Sequence, residues 1–355
     1  MKKQRISLLG LLGLILFVWA CEKDTEDPPP AGINYSQGVF IVNEGPFQAG
    51  SGTITFMSRD GSGITEKLYQ KSNSGIPLGN IVQSMTIANG RGYICVNNAN
   101  KLVVVNIKTF NSMKAIEGIS TPRYTLEGLN GKLYVSCWDN TVKVVDTSTL
   151  EVSDQIQVGE GPDLMLAVDS VLWVLNRGGF GIDSTVSLIN MENDQLLDEL
   201  QIWPDPSGIV RDYAGNVWIM CSGRRSYHPG GESEGHLLCY APSGPTLLKD
   251  IAFPVATEHP EKLVVNKDGS GIFYIYPGGV KKHEPVSDVI EDSLFIENSA
   301  PFYSLGLDVQ QNVIYAGDPV DYVQNGWIYR YAVSDGELLD SLSVGIIPTW
   351  FCFGE

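Results

Sequence analysis

The sequence has 355 residues, of which 38 are glycine and 19 are proline, and its formal net charge is −17. An acidic chain with scattered lysine and arginine disfavours nucleic-acid binding, because such binding depends on neutralising phosphates with clustered basic residues. The same charge balance argues against a polybasic membrane face, so membrane contact is expected through a lipid anchor only.

Residues 1–20 have the organisation of a signal peptide. A basic start precedes the apolar run from Leu8 to Trp19, which is shorter than the about 20 apolar residues that a membrane-spanning helix needs. The run ends in Ala20-Cys21, a lipobox arrangement in which the Cys21 thiol is acylated and becomes the new N-terminus. A plain signal peptide with an incidental cysteine is the alternative.

Residues 21–35 predict a flexible tether between the lipid and the folded body. The mostly acidic run 22–27 comes first, and the prolines 28–30 then form a stiff extended spacer. Acidic residues directly after a lipidated cysteine resemble the surface-export signal of Bacteroidota lipoproteins. This resemblance implies an outer-membrane protein that faces the cell exterior; a solvated periplasmic linker is the alternative.

A repeat is the strongest feature of the remaining chain. In the segment 131–162, two runs of alternating apolar residues flank an Asn-Thr turn, a pattern typical of successive antiparallel strands. One aromatic recurs in the second strand of each unit at intervals of 39 to 56 residues: Phe40, Tyr93, Tyr134, Trp173, Trp218, Tyr274 and Tyr315. Four-stranded propeller blades recur about every 40–50 residues, so the sequence predicts an all-β, seven-bladed β-propeller.

Prolines form a second repeat along the chain. Each stands before an apolar run that would form the innermost strand of a blade. They are Pro122, Pro162, Pro206, Pro260, Pro301 and Pro348. The stretch 344–353 begins an eighth unit and stops, so we expect it to supply the inner strand of the first blade and to remove an open sheet edge. The propeller then spans residues 36–355 as one domain, and a β-sandwich or β-helix is the structural rival.

Five cysteines follow Cys21: Cys95, Cys137, Cys221, Cys239 and Cys352. Their spacing matches no CxxC or cysteine–histidine pattern typical of zinc, so no metal site is predicted. Cys221 and Cys239 could face each other across a hairpin, whereas the others are expected to be buried thiols.

Long loops between the second and third strands predict the functional face, because in a propeller they emerge beside the entries to the inner strands. Loops 176–183, 222–236 and 318–325 exceed the two residues that a hairpin turn needs, and function concentrates in such loops. The candidate ligand-binding residues are Arg123, Trp138, Asn176, Arg177, Phe180, Arg224, Arg225, Tyr227, His228, His259, Tyr276, Asp318 and Tyr322. The sequence carries no recognisable catalytic constellation or cofactor motif, so no catalytic residue is assigned.

The unit at 134–162, with its Tyr-Val strand, Asn-Thr-Val turn and Val-Gly-Glu-Gly-Pro end, resembles the YVTN-type repeat of YncE-like propellers. With the opening 40–45 and the lipobox, the chain resembles the YncE-like surface lipoproteins of Bacteroidota, which include the cobalamin-binding BtuG family. This resemblance implies non-catalytic capture of cobalamin or another corrinoid, as a ligand rather than a cofactor. It also implies transfer of the ligand to a TonB-dependent outer-membrane transporter of the BtuB type.

The resemblance also implies roles for the candidate residues. Phosphate or amide groups would be met by Arg177, Arg224 and Arg225, and flat contacts would come from Trp138, Phe180, Tyr227, Tyr276 and Tyr322. His228 or His259 would hydrogen-bond the ligand or approach the cobalt. Two other classes stay open: a propeller enzyme of the lactonase or lyase type, and a protein-binding accessory subunit of a surface complex.

Overall fold

The computed structural model describes residues 34–47, 49–61, 63–242 and 244–354. The predicted signal peptide, Cys21 and the tether up to residue 33 lie outside these ranges. Within them the chain forms one short helix, α1 (Leu68–Ser72), and twenty-eight strands in seven four-stranded sheets. In this described part, the helix content includes nothing long and apolar enough to span a bilayer.

Each sheet is one blade, and its strands follow each other in chain order from the inside outwards except in blade 1. Blade 1 contains β28 (Pro348–Phe353), β1 (Gly38–Asn43), β2 (Thr53–Ser58) and β3 (Ile64–Thr65). Blade 2 contains β4 (Val82–Ala88), β5 (Arg91–Val96), β6 (Lys101–Asn106) and β7 (Ser112–Glu117). Blade 3 contains β8 (Pro122–Glu127), β9 (Lys132–Cys137), β10 (Thr141–Asp146) and β11 (Glu151–Gln157). Blade 4 contains β12 (Pro162–Val168), β13 (Val171–Asn176), β14 (Thr185–Asn190) and β15 (Gln195–Gln201).

The last three blades follow the same order. Blade 5 contains β16 (Pro206–Arg211), β17 (Val217–Cys221), β18 (His236–Tyr240) and β19 (Leu247–Ala252). Blade 6 contains β20 (Glu261–Val265), β21 (Ile272–Tyr276), β22 (Gly279–His283) and β23 (Ile296–Glu297). Blade 7 contains β24 (Ser304–Asp308), β25 (Val313–Asp318), β26 (Asn325–Ala332) and β27 (Leu338–Ile346). The predicted seven-bladed, all-β propeller is confirmed.

The hydrophobic core lies between the blades. Seven clusters of buried apolar side chains each join two neighbouring sheets, which is how sheets with alternating side chains bury both faces. The repeating aromatic of the sequence sits in the second strand of every blade, and all seven side chains are buried. The spacing of these aromatic residues along the sequence therefore equals the length of one blade.

The ring closes in blade 1, as predicted from the C-terminal sequence. Strand β28 pairs antiparallel with β1 and places Phe351 opposite Ile41 and Cys352 opposite Phe40. The first and last parts of the chain thus share one sheet, which leaves no open edge between them. Aromatic packing adds to the closure, because the Phe351 ring lies 5.6 Å from the ring of Tyr315 in blade 7.

The cysteines are buried free thiols, and one expectation about them is wrong. Cys221 lies opposite His236 in the β17–β18 hairpin, whereas Cys239 lies opposite Trp218. The two thiols belong to different register positions, so they do not face each other across the hairpin. Burial raises the pKa of Cys95 and Cys352 to about 12, which keeps these thiols protonated and unreactive.

Candidate ligand-binding face

The two ends of the propeller differ in how the strands are connected. The loop face carries the entries to the inner strands and the loops between second and third strands. The turn face is the opposite end. On the loop face the long connections are 44–52, 177–184, 222–235 and 319–324, while 97–100, 138–140 and 277–278 are short. Loop 44–52 in blade 1 is an addition to the long loops expected from the sequence.

Backbone hydrogen bonds tie the two kinds of connection together on the loop face. The Trp138 amide donates to the Thr121 carbonyl at 3.2 Å, and the Ser222 amide donates to the Asp205 carbonyl at 2.8 Å. The same bond recurs in blades 1, 2 and 4. The accepting residue has a positive φ each time, 43° at Thr121 and 58° at Asp205. This left-handed bend turns the chain into the inner strand and points its carbonyl at the neighbouring loop.

A ring of polar residues surrounds the axis just inside the loop face. In six blades the inner strand has a register shift near its start, and the first residue left unpaired there is polar. In blade 7 the corresponding residue directly precedes β24. We name these residues the polar ring: Gln83, Arg123, Asp163, Ser207, Lys262, Tyr303 and Thr349.

A cavity of about 240 Å³ opens on the loop face over blades 3 to 5. Arg123, Trp138, Arg177, Tyr227 and His228 line it, together with Arg225. The Arg123 guanidinium carbon lies 4.1 Å from the centre of the Trp138 ring, a cation–π contact. Phe180 contacts the same indole edge-on at 5.3 Å, yet the Phe180 side chain is 97% exposed. The lining thus combines arginine guanidinium groups and aromatic rings with the carboxylates of Asp163 and Asp205.

A larger cavity of about 570 Å³ adjoins the first over blades 6 and 7. Its lining includes His259, Tyr276, Tyr303 and Tyr322. Arg225 belongs to both linings, so the two cavities adjoin at this side chain. We call them together the depression, and its end at the polar ring the channel mouth. The size and mixed polar and aromatic lining suit a large organic ligand rather than a small ion.

Each arginine of the depression is paired with a carboxylate. Arg123 lies 3.4 Å from Asp163, Arg177 lies 2.6 Å from Asp205, and Arg225 is bonded to Glu261. These pairs fix the orientation of the guanidinium groups and leave several of the five N–H donors of each group for other acceptors. The sequence had singled out all three arginines.

His259 holds the long loop of blade 5 in place. Its Nδ1 lies 3.0 Å from the Ser222 carbonyl oxygen, and its Nε2 lies 3.3 Å from Glu232 Oε1. Across residues 34–354, apart from the three internal positions not described, no cluster of three or more His, Cys, Asp or Glu residues has the arrangement of a metal site.

Besides Phe180, which contacts the ring of the lining residue Trp138, three candidate residues lie apart from the two linings. The Asn176 amide is fully buried and donates to the hydroxyl oxygens of Thr185 and Ser187 within blade 4. Arg224 donates to the Gly231 carbonyl within its own loop, and Asp318 accepts from the Val320 amide at the start of loop 319–324. In this structure these side chains shape loops rather than face the depression.

The structure adds Glu44, Gln83 and Lys262 to the channel mouth. Burial raises the pKa of the Glu44 carboxyl, against the lowering effect of hydrogen bonds from Thr349 and Tyr303 and of the Arg123 charge. Gln83 accepts a hydrogen bond from Arg123. The sequence does show polar residues at the start of each inner strand, and these could have indicated the polar ring. The register shift that turns their side chains to the axis, however, cannot be predicted from residue spacing alone.

Comparison with known families places the chain. A family model described as a domain of unknown function (DUF5074) matches residues 37–224, which is more than half of the chain. The chain belongs to this family. No curated protein matches the sequence.

Solved structures confirm the fold. A quinonprotein alcohol dehydrogenase-like protein from Bacteroides thetaiotaomicron is similar over 91% of this chain and 80% of its own, with a TM-score of 0.70 and 16% identity. A functionally unknown protein from Desulfotomaculum acetoxidans covers 90% of this chain over its whole length, with a TM-score of 0.63 and 14% identity. Hydrazine synthase from Kuenenia stuttgartiensis covers 77% of this chain and 89% of its own, with a TM-score of 0.63 and 12% identity. At these identities the likeness concerns the propeller alone.

Proposed function

We propose that this DUF5074 propeller is a cell-surface lipoprotein that captures a large polar ligand without chemical change. The ligand we favour is cobalamin or another corrinoid, which the protein would pass to a TonB-dependent transporter. The observation that carries the proposal is the depression formed by two adjoining cavities that share Arg225, together with exposed aromatic side chains on the loop face.

The chemistry of the depression suits a corrinoid. Such a ligand offers amide side chains, a nucleotide phosphate and a broad flat ring system. The three carboxylate-paired arginines present oriented N–H donors to carbonyl and phosphate oxygens. Phe180, Tyr227 and Tyr322 are 97%, 75% and 50% exposed, so their rings are available to stack against a flat ligand.

The rigidity of the scaffold favours binding over turnover. The loops that carry these side chains are fixed by backbone hydrogen bonds to the inner-strand entries, so little conformational entropy is lost when a ligand binds. The surface address and the transporter partner rest on Cys21, on the acidic run 22–27 and on the family resemblance.

Calorimetry with cyanocobalamin and with dicyanocobinamide, which lacks the nucleotide, tests the proposal on the chain from residue 34 onwards. We expect saturable binding at micromolar concentration and visible absorbance that co-elutes with the protein. Tyr227→Ala should weaken binding several-fold, whereas Tyr213→Ala, which removes a ring that is 60% exposed on the turn face, should not. Absence of heat and of co-eluting absorbance would exclude the corrinoid proposal.

A further inference from the structure

The cationic side chains at the channel mouth differ in whether they have a carboxylate partner. Arg123, Arg177 and Arg225 each have a carboxylate partner. Lys262 is the fourth cation there, and within the described residues its ammonium has neither a hydrogen-bond acceptor nor an ion-pair partner. Outside those pairs, Glu44 is a nearby carboxyl: burial raises its pKa, the charges of Arg123 and Lys262 lower it, and it forms no direct ion pair with Lys262. Among these four cations, Lys262 is therefore the one that no carboxylate of the described residues contacts directly.

The backbone places this lysine at the axis. Glu261 pairs with Ile275 and Leu263 pairs with Tyr274, so Lys262 is the extra residue of a bulge. Its φ is 60°, in the left-handed region that non-glycine residues avoid. The sheet thus carries a strained residue at the position where the other blades present the polar ring. Such strain persists where the surrounding structure holds it, and it is concentrated at functional sites.

The surroundings of the amine disfavour its charge. Burial lowers the pKa of Lys262, and the nearby Arg177 and Arg123 lower it further, while Glu261 and Asp163 act in the opposite direction. An ammonium that is partly buried without a partner is costly, and an incoming anion would reduce that cost. The paired arginines have no such need, because their carboxylates already compensate them.

We propose that Lys262 is the anion-binding residue of the channel mouth, which takes a carboxylate or phosphate oxygen of the ligand that occupies the depression. The assignment rests on the proposed function only for the identity of the whole ligand. A nucleotide phosphate of a corrinoid and a carboxylate of another organic molecule are the two sources of such an oxygen. Because the anion stabilises the charged amine, binding is coupled to protonation of Lys262.

The backbone offers a substitution that removes the amine without loss of fold. Lys262→Gly deletes the side chain at a φ where glycine is favoured, so the variant should be at least as stable as the wild type. Lys267→Gly is the matched control, since Lys267 is exposed in the turn at the other end of β20 and its loss changes the net charge equally. Lys262→Arg tests whether a cation at this position is sufficient.

Inorganic phosphate and acetate are the probes, titrated into each protein by calorimetry at constant ionic strength. We expect phosphate or acetate to bind the wild type and Lys267→Gly alike, with at least tenfold weaker binding to Lys262→Gly and partial recovery in Lys262→Arg. Titrations in two buffers of different ionisation enthalpy at alkaline pH should reveal proton uptake that Lys262→Gly lacks. Equal binding by Lys262→Gly and wild type, or no binding of either anion to the wild type, overturns the assignment.

Cyanocobalamin separates this inference from the proposed function. If it binds wild type and Lys262→Gly with equal affinity, corrinoid capture stands and the role of Lys262 fails. If it does not bind at all while the small anions bind through Lys262, the anion site stands and the corrinoid fails. The more effective of phosphate and acetate then identifies the anionic group that the channel mouth prefers.

Discussion

The two faces of the propeller differ in the roles of their polar side chains. On the turn face, side chains cap their own turns: Asp212 accepts hydrogen bonds from the amides of Ala214 and Asn216 and from the buried Trp218 indole. Backbone groups bond across connections on both faces, as between Trp138 and Thr121 on the loop face and between Thr147 and Gly131 on the turn face. These polar side chains of the turn face serve the fold, whereas on the loop face the arginines of the depression keep part of their N–H donors for a ligand.

The residues with a left-handed backbone conformation also differ between the two faces. Between the first and second strands, on the turn face, they are residues that tolerate a positive φ: Asn89, Asn130, Asp169 and Asn312. At the entries on the loop face they include the β-branched Ile81, Thr121 and Ile347, for which this conformation is costly. Among the connections of the inner strands, such strain therefore lies at the loop-face entries, whereas on the turn face comparable residues, Phe110 and Leu150, lie between third and fourth strands.

The largest effect that we expect concerns a buried histidine at the turn-face end of β22. The His283 ring is fully buried, neither ring nitrogen has a hydrogen-bond partner, and it lies 5.1 Å from the Trp218 ring. Burial, with a smaller effect of Lys249, lowers the pKa of His283 from 6.5 to about 4, against the opposing effect of Asp288 and Glu284. The folded protein thus binds fewer protons at this site than the unfolded chain between these two pH values.

Stability should therefore fall as the pH falls from about 6.5 to about 4, by up to roughly 3 kcal/mol from this residue. Chemical denaturation of wild type and His283→Phe across this range measures the difference, and the variant should lose markedly less stability. His228→Phe on the loop face is the control and should keep the pH dependence of the wild type. Parallel curves for wild type and His283→Phe would show that the buried ring does not couple folding to pH.

The next effect separates binding from stability on one blade. Arg225→Ala should weaken cyanocobalamin binding at least about tenfold, or about 1.4 kcal/mol, because Arg225 belongs to both cavities. Its ion pair with Glu261 is partly exposed, so the unfolding free energy should change by less than about 1 kcal/mol.

Arg211→Ala is the matched control, because Arg211 is an exposed turn-face arginine of the same blade that donates to the Gly215 carbonyl. It should leave affinity unchanged. Equal losses of affinity in the two variants would mean that the general charge of the protein, rather than the depression, governs binding.

The sequence predicted the fold well because the propeller repeats. Aromatics such as Tyr134 and Trp218 recur in every second strand, and the prolines mark the inner strands, so strand order and ring closure followed from the spacing. The face of the candidate site followed as well, since it depends only on which connections are long. Arg123, Arg177 and Arg225 were located in this way.

The interior details of the site were beyond the sequence. Asn176 was selected because it begins a long loop, but one residue of register decides whether a strand-end side chain points to the core or to the ligand face. Lys262 was overlooked because it reaches the axis through a bulge, and a bulge has no reliable spacing pattern. Loop 44–52 was missed because the first blade lacks a preceding repeat with which to compare it.

The smallest effect addresses the strain that distinguishes the faces. Thr121 has a φ of 43° and precedes Pro122, which disfavours a helical conformation further. Thr121→Gly keeps the carbonyl that accepts from Trp138 and relieves about 1–2 kcal/mol of left-handed strain. The greater freedom of glycine in the unfolded chain offsets about 0.5–1 kcal/mol of this gain. The net stabilisation should raise the melting temperature by about 1–2 °C.

Asn89→Gly is the matched substitution on the turn face, at a φ of 51° in the turn between β4 and β5. Asparagine already tolerates this conformation, and its side chain donates to Glu127, so the melting temperature should stay the same or fall slightly. Differential scanning calorimetry of both variants decides the matter. Opposite signs place the strain at the entries of the loop face, and equal shifts would mean that the two faces store the same backbone energy and differ only in their side chains.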